Sequence, residues 1–265
     1  MISWKGYAMT SLKDASLALA ECFHSSILPT RRKTNYVTER SVKMKFENTE
    51  VWGFKHAVRG MRNPLESWDK SDTFINGNCG TDCSCENCSQ TEGIEIGERD
   101  LFLMQKLIKA RSEHRKFLRQ IFVSVDITAP LYWWKEFDTH KVGTVSNSTS
   151  TMHKLASTPI TTDCFEMGNF EGLRLFDIST VWETLIFDLE RLRKLYNETK
   201  DKQYWKELIR LLPESWLQKR TITMNYENIL NMYQQRKYHK LTEWSKSFCD
   251  WVKTLPYAEE LICLE

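Results

Sequence analysis

The chain has 265 residues, enough to bury a substantial core as one large domain or two small ones. Hydrophobic residues make up 41% and charged residues 27%, a balance that excludes a disordered or fibrous chain. With 37 basic and 35 acidic residues the formal charge is only +2, which argues against general nucleic-acid binding. No apolar run approaches the ~20 residues that cross a bilayer. Leu17–Ala20 is flanked by Asp14 and Glu21 with no basic segment before it, so no secretory signal is expected. Eight cysteines in a chain of this length fit a reducing, cytoplasmic setting rather than a disulfide scaffold.

Residues 1–41 lack sustained periodicity and end in the polar run Thr30-Arg31-Arg32-Lys33-Thr34-Asn35. They read as a poorly structured extension outside the core, and Met44, which opens a more regular segment, is an alternative start. Val42, Met44 and Phe46 alternate, which predicts a short strand. Trp52, Phe54, Ala57, Val58 and Met61 follow at helical spacing until Asn63-Pro64 ends the element. Residues 67–97 form an excursion of Ser, Asp, Asn and Gly with almost no apolar anchors. Within it Cys79, Cys83, Cys85 and Cys88 are spaced C-x3-C-x-C-x2-C. Four thiolates that close can take zinc or an iron–sulfur cluster, or form a reduced Cys-rich loop.

Leu101, Met104, Leu107 and Ile108 mark an amphipathic helix expected to run to Arg119, with Glu113-His114 near its end. Ile121, Val123, Val125 and Ile127 then predict a strand with one buried face. From Ala129 to Leu155 an aromatic segment, Leu131–Trp134, runs into Lys135, Glu136, Asp138, His140 and Lys141. Gly143 and a hydroxyl- and amide-rich run to Thr151 follow. Such a stretch suits a phosphorylated heteroaromatic ligand, and equally a polar surface loop. Beyond Gly172 there is no glycine. Ile178, Val181, Trp182, Leu185, Ile186, Leu189 and Leu192 predict a strong helix, and Trp205 to Leu212 a second that stops at Pro213. Thr221–Met224 is extended at best. Helices are expected over 226–236, where Tyr233, Arg236 and the following His239 share a face, and over 241–255. The pattern is α+β with a helical second half. No P-loop, G-x-G-x-x-G, G-x-S-x-G or H-E-x-x-H occurs.

Together these segments resemble the flavin-dependent thymidylate synthases, or thymidylate synthase complementing proteins. That family has a Glu-His before a strand, then Ala-Pro with aromatics, an Arg-Gln, and an Arg-His-Arg followed after seven residues by Ser. Here Glu113-His114 precedes the strand and Ala129-Pro130-Leu131-Tyr132 follows it. Lys135-Glu136 stands at the Arg-Gln, Thr139-His140-Lys141 at the Arg-His-Arg, and Thr149 at the Ser. Leu212-Pro213, Asn225, Asn231 and Arg236 keep the spacing of the family's C-terminal motif. The likeness covers Val42 to Leu255, within a single domain of residues 42–265 that carries the excursion.

The resemblance implies a twisted antiparallel sheet flanked by long helices, assembled as a homotetramer with sites between subunits. It implies methylation of the pyrimidine deoxynucleotide dUMP to dTMP, with FAD as cofactor and methylenetetrahydrofolate and NADPH as co-substrates. No enzyme nucleophile takes part; the cofactor carries the hard step. By position, Glu113, Thr139, His140, Lys141, Asn225 and Asn231 would face FAD. Glu136, Asn147, Ser148, Thr149, Thr151 and Arg236 would face dUMP, with Arg236 polarising the uracil and Glu136 beside it. The sequence departs from the pattern by losing cations at Thr139, Thr151 and Glu227. Lys141 keeps a charge without the bidentate fork of arginine. Glu136 puts a carboxylate where an anion is expected, and like charges 4 Å apart cost about 4 kcal/mol at an effective dielectric of 20. Three readings follow: a divergent synthase whose charge is restored by Arg210, His153, His239 or Lys240; a synthase for another pyrimidine; or a non-catalytic nucleotide- or flavin-binding or assembly protein on the same scaffold. A metal-stabilised interaction module around Cys79–Cys88 is a further reading.

Overall fold

Four antiparallel strands in the order β1-β4-β6-β5 carry the fold. The computed structural model describes residues 44–75, 93–168 and 178–264. The proposed extension, the start of the first strand at Val42 and the four clustered cysteines lie outside them. The strands are β1 Lys45–Trp52, β4 Phe122–Pro130, β5 Val145–Ser148 and β6 Leu217–Asn225. Among the described residues β2 (Phe74–Ile75) and β3 (Ile94–Glu95) pair separately as a short ribbon. The alternation read in β4 is realised. Val123, Val125, Ile127 and Ala129 are fully buried, and Ser124, Asp126 and Thr128 face the more open side.

β6 is the largest departure from the expected secondary structure. Where four extended residues were predicted, nine pair without interruption to β4, from Phe122↔Asn225 to Pro130↔Leu217. Gln218, Lys219 and Arg220 hide the strand in the sequence. They are tolerated because β4 pairs with all three, and on the other side Arg220 pairs with β5, the Lys219 carbonyl accepts from Thr149 N and the Gln218 carbonyl from Trp134 Nε1. β5, read as part of a hydroxyl-rich run, is an exposed edge strand along Thr223 to Arg220. The second half is therefore not purely helical.

Helices make up most of the remaining described structure. They are α1 (Phe54–Arg62), α2 (Glu98–Lys109), α3 (Leu131–Phe137) and the single turn α4 (Thr151–Lys154). α5 (Ile178–Thr199), α6 (Lys202–Leu211), α7 (Tyr226–Arg236), α8 (Cys249–Lys253) and α9 (Ala258–Leu261) complete those described. α2 stops ten residues before the expected Arg119: no apolar anchor but Ala110 lies between Ile108 and Phe117, and Arg111 takes a left-handed φ of 113°. Residues Lys116–Gln120 form a 3-10 turn instead. Trp52 belongs to β1, stacked on Phe122, and the left-handed Gly53 breaks the chain into α1. The expected helix over 241–255 contains a π turn, Glu243–Phe248, a distortion frequent at functional sites. Of the flanking helices α5 alone is long. It packs with α6 around a small core of Leu155, Ile160, Phe165, Leu189 and Leu208.

The excursion is better anchored than its composition suggests. Ile94 and Ile96 are buried. The fully buried Asp100 accepts from Arg62 Nε, Ser71 Oγ and Thr73 Oγ1, each at 2.6 Å, and so ties both flanks to α1.

Gly53 has φ +98°, and a Cβ there would sit 2.0 Å from the Gln120 carbonyl oxygen, whereas Gly168 has nothing within 4 Å. Gly53→Ala is expected to lose at least the ~1–2 kcal/mol of a left-handed non-glycine residue, read from the urea midpoint. Gly168→Ala, the control, should stay within about 0.5 kcal/mol of the parent.

Candidate functional site

Two helices launched from opposite ends of the β4–β6 ladder meet at their C-terminal ends. α3 begins at Pro130; its first free N–H groups, on Leu131 and Tyr132, donate to the carbonyls of Trp216 and Glu214, which settles the orphan donors of a helix start. α7 begins at Asn225, whose side chain accepts from Asn228 N while Asn228 Oδ1 accepts from Asn225 N, a reciprocal capping box. Trp133, Trp134 and Phe137 bury one face of α3, and Trp133 stacks on Trp244 of the π turn at 4.5 Å.

At the meeting point Glu136 Oε1 pairs with Arg236 Nη1 at 2.7 Å and with His239 Nε2 at 3.3 Å. Its other oxygen accepts from Trp244 Nε1 at 3.1 Å. His239 Nδ1 accepts from Leu241 N at 3.2 Å, which places the ring proton on Nε2, facing the carboxylate. Arg236 lies over the Trp244 ring at 5.2 Å and brings Nη2 to within 3.5 Å of His140 Nε2. Its Nε is buried with no hydrogen-bond partner. Burial, and then the Arg236 charge, push the His140 pKa below its usual 6.5, so the ring is neutral and Nε2 can accept. The cluster is thus charge-balanced: one carboxylate, one guanidinium and a neutral imidazole on each side.

Two adjoining cavities open beside it. The first, of about 240 Å³, is lined by Thr139, His140, Lys141 and Asn231 among others. The second, of about 400 Å³, is lined by Arg115, Arg119, Glu227, Asn225 and Gly143 among others; Val142, Asn228 and Asn231 belong to both. Gly143 is required there. Its φ is +80°, and a Cβ would reach Asn228 Oδ1 at 2.9 Å and Asn225 Nδ2 at 3.2 Å. Asn228 also donates to the Val142 carbonyl at 2.7 Å, so the loop and the helix cap are joined.

The residues singled out from sequence fall into three groups. Glu136, His140 and Arg236 converge, and Thr139, Lys141, Asn225 and Asn231 line the two cavities beside them. Thr149 and Thr151 line a separate cavity of about 1160 Å³ with Lys45, Lys154 and Trp216, which shares no lining residue with the other two. Asn147 and Ser148 are exposed on β5, and Glu113 sits on an exposed turn, bonded to Ser112 Oγ. None of those three lines any of these cavities. Of the cations proposed to restore the lost charge, Arg210 is paired with Glu207 and His239 is spent on Glu136. Among the described residues there is no cluster of three metal-ligating side chains, and no helix is long and apolar enough to cross a membrane.

Sequence reasoning missed Trp244, Asn228, Arg115 and Arg119. The Asn225-x2-Asn228 spacing carried a capping signal; Arg115-x3-Arg119 became legible only once α2 was seen to end at Lys109.

No protein-family model matches the sequence, and no curated protein matches it either. Solved structures do. A crystal structure of thymidylate synthase X (ThyX) from Helicobacter pylori with FAD and dUMP aligns with a TM-score of 0.56 at 17% identity, covering 84% of this chain and 97% of that one. A second, of the flavin-dependent thymidylate synthase ThyX from Helicobacter pylori complexed with FAD and dUMP, gives 0.55 at 18%, covering 84% and 99%. The fold is ThyX-like. At that identity the likeness is one of fold.

As the pH falls through about 6.5 the unfolded chain binds a proton at His140 that the folded chain resists, so stability drops across that window and levels off below the folded pKa. Between pH 7.5 and 5.5 the urea midpoint of the parent should fall further than that of His140→Gln, which keeps an acceptor for Arg236 but cannot titrate.

Proposed function

We propose that this chain binds FAD and a pyrimidine deoxynucleotide and methylates dUMP to dTMP, using methylenetetrahydrofolate and NADPH. The observation that carries the reading is convergence. Positions matched to the synthase motifs but far apart in the chain, Thr139–Lys141 and Asn225–Arg236, line two adjoining cavities or lie beside them. The fold shared with the FAD- and dUMP-bound ThyX structures supports it.

The donor set fits these ligands. Asn225, Asn228 and Asn231 offer amides to a heterocycle edge, and Gly143 leaves room against them. Lys141 supplies a cation with no ion-pair partner among the described residues. The unpartnered Arg236 Nε is a donor suited to a pyrimidine carbonyl. When bound, the reduced flavin supplies the hydride that turns the transferred methylene into a methyl group. Arg236 orients and polarises the uracil, the neutral His140 holds one Nη, and Glu136 fixes the other. Charge developing on the base is met by a guanidinium already desolvated and oriented, which is the efficient arrangement. Thr149 and Thr151, in their separate cavity, reach a shared ligand in a homotetramer whose sites lie between subunits. Such a protein works in the cytoplasm.

One observation favours a second reading. Glu136 already neutralises Arg236, as a nucleotide- or flavin-binding protein without methylation would tolerate. The visible spectrum separates the two. The synthase reading expects a yellow protein whose flavin bands shift with dUMP and bleach with NADPH. Retained bands that neither dUMP nor NADPH changes would leave binding without catalysis, and a colourless protein that takes up no added FAD would end both readings. Glu136→Gln removes the competing carboxylate and should tighten dUMP about tenfold, the scale of one charge-assisted hydrogen bond, measured by calorimetric titration. Unchanged affinity would mean that Arg236 does not meet the nucleotide.

A further inference from the structure

Arg115 caps the start of the 3-10 turn that replaces the end of the predicted helix, Arg119 lies within that turn, and both line the larger of the two adjoining cavities. Both guanidiniums close on Glu227, a carboxylate only 8% exposed. Arg115 donates from Nε to Glu227 Oε1 at 3.4 Å and from Nη2 to Asn231 Oδ1 at 2.8 Å. Arg119 donates from Nε to Glu227 Oε2 in a short contact and from Nη2 to Oε1 at 3.4 Å. Each therefore commits two of the five N–H donors of a guanidinium. Two cations face one carboxylate, so the cavity wall keeps a positive excess, and Lys141 adds to it from the adjoining cavity. Planar forks with unused donors match phosphate oxygens. The larger cavity, about 400 Å³, is of the size that holds a small ligand.

We propose that Arg115 and Arg119 are the diphosphate-recognising pair of this chain, with Glu227 as the internal anion that holds them until a ligand arrives. The expected ligand class is a diphosphate ester: the diphosphate of a flavin dinucleotide, or of any nucleoside diphosphate that enters the same cavity. This rests on the flavin-nucleotide reading and names the cations that reading lacks, since position 227 is a carboxylate here. The pair differs from a structural ion pair in one respect. A structural pair is damaged by losing its acid, whereas a ligand site is improved.

The test is equilibrium binding of FAD, ADP and riboflavin to the full chain and its variants, with thermal melts alongside. The parent should bind FAD and ADP at least tenfold more tightly than riboflavin, which has no phosphate. Glu227→Gln should tighten ADP about tenfold by freeing donors and removing a negative charge. Adding Arg119→Gln to Glu227→Gln leaves no buried carboxylate unpaired and should weaken ADP at least tenfold relative to Glu227→Gln alone, with riboflavin unchanged. If that double variant melts below the assay temperature, Arg119→Lys decides: it keeps the charge, loses the fork and should bind ADP several-fold more weakly. Equal ADP affinity across parent and variants overturns the pair, even where FAD still binds and the synthase reading stands. ADP bound through Arg119 by a protein that ignores flavin overturns the synthase reading and leaves the pair. A parent that binds neither ADP nor FAD overturns both.

Discussion

The nine-pair ladder between β4 and β6 is the constraint from which the site follows. A strand of that length spans about 27–30 Å. α3 leaves one end of it and α7 the other, and both fold back over the same buried face. Seven and eleven helical residues rise about 10 and 16 Å, which together nearly equal the strand. The two C-terminal ends must therefore meet above the sheet, and Glu136 and Arg236 are the residues that stand there. Two helix C-termini brought together concentrate partial negative charge. A cation at the end of α7 offsets it and fixes which side chain the junction requires.

The aromatic layer makes the junction rigid. Trp133, Phe137, Trp244 and Phe248 are buried or nearly so; Trp133 stacks on Phe137 and on Trp244, which meets Phe248 edge-on, and the π turn swings the Trp244 indole N–H onto Glu136. The last turn of α7, the residues that follow it and the π turn thus act on one carboxylate, through Arg236, His239 and Trp244. Such packing gives the ion pair a fixed orientation. A fixed orientation distinguishes a site that aims a guanidinium from a surface pair worth little.

Charge at this site is set locally, in two units. Glu136 matches Arg236 one to one, whereas Glu227 faces both Arg115 and Arg119 and leaves one cation in excess. At Thr139, Thr151 and Glu227, where the sequence resemblance leads one to expect arginine, this chain has no cation, yet cations stand nearby on other elements. A fold shared at 17% identity with a solved ThyX structure leaves each residue's role to be argued from its own surroundings.

The local signals were sufficient for much of this. Period-two burial in β4, the stripe of α5 and the motif order around Glu136, His140, Asn225 and Arg236 could all be read from the chain, because each depends on neighbours within a few residues. The extent of β6 could not: Gln218, Lys219 and Arg220 look like loop until β4 pairs with their backbone. Nor could the end of α2, where an unanchored basic stretch yields to a 3-10 turn that aims Arg115 and Arg119. The sequence by itself determined which groups are available and which faces are apolar. Tertiary structure alone decided which charges cancel and which stay open to a ligand, because Coulomb energy depends on distance in space and on burial, and neither is a property of position along the chain.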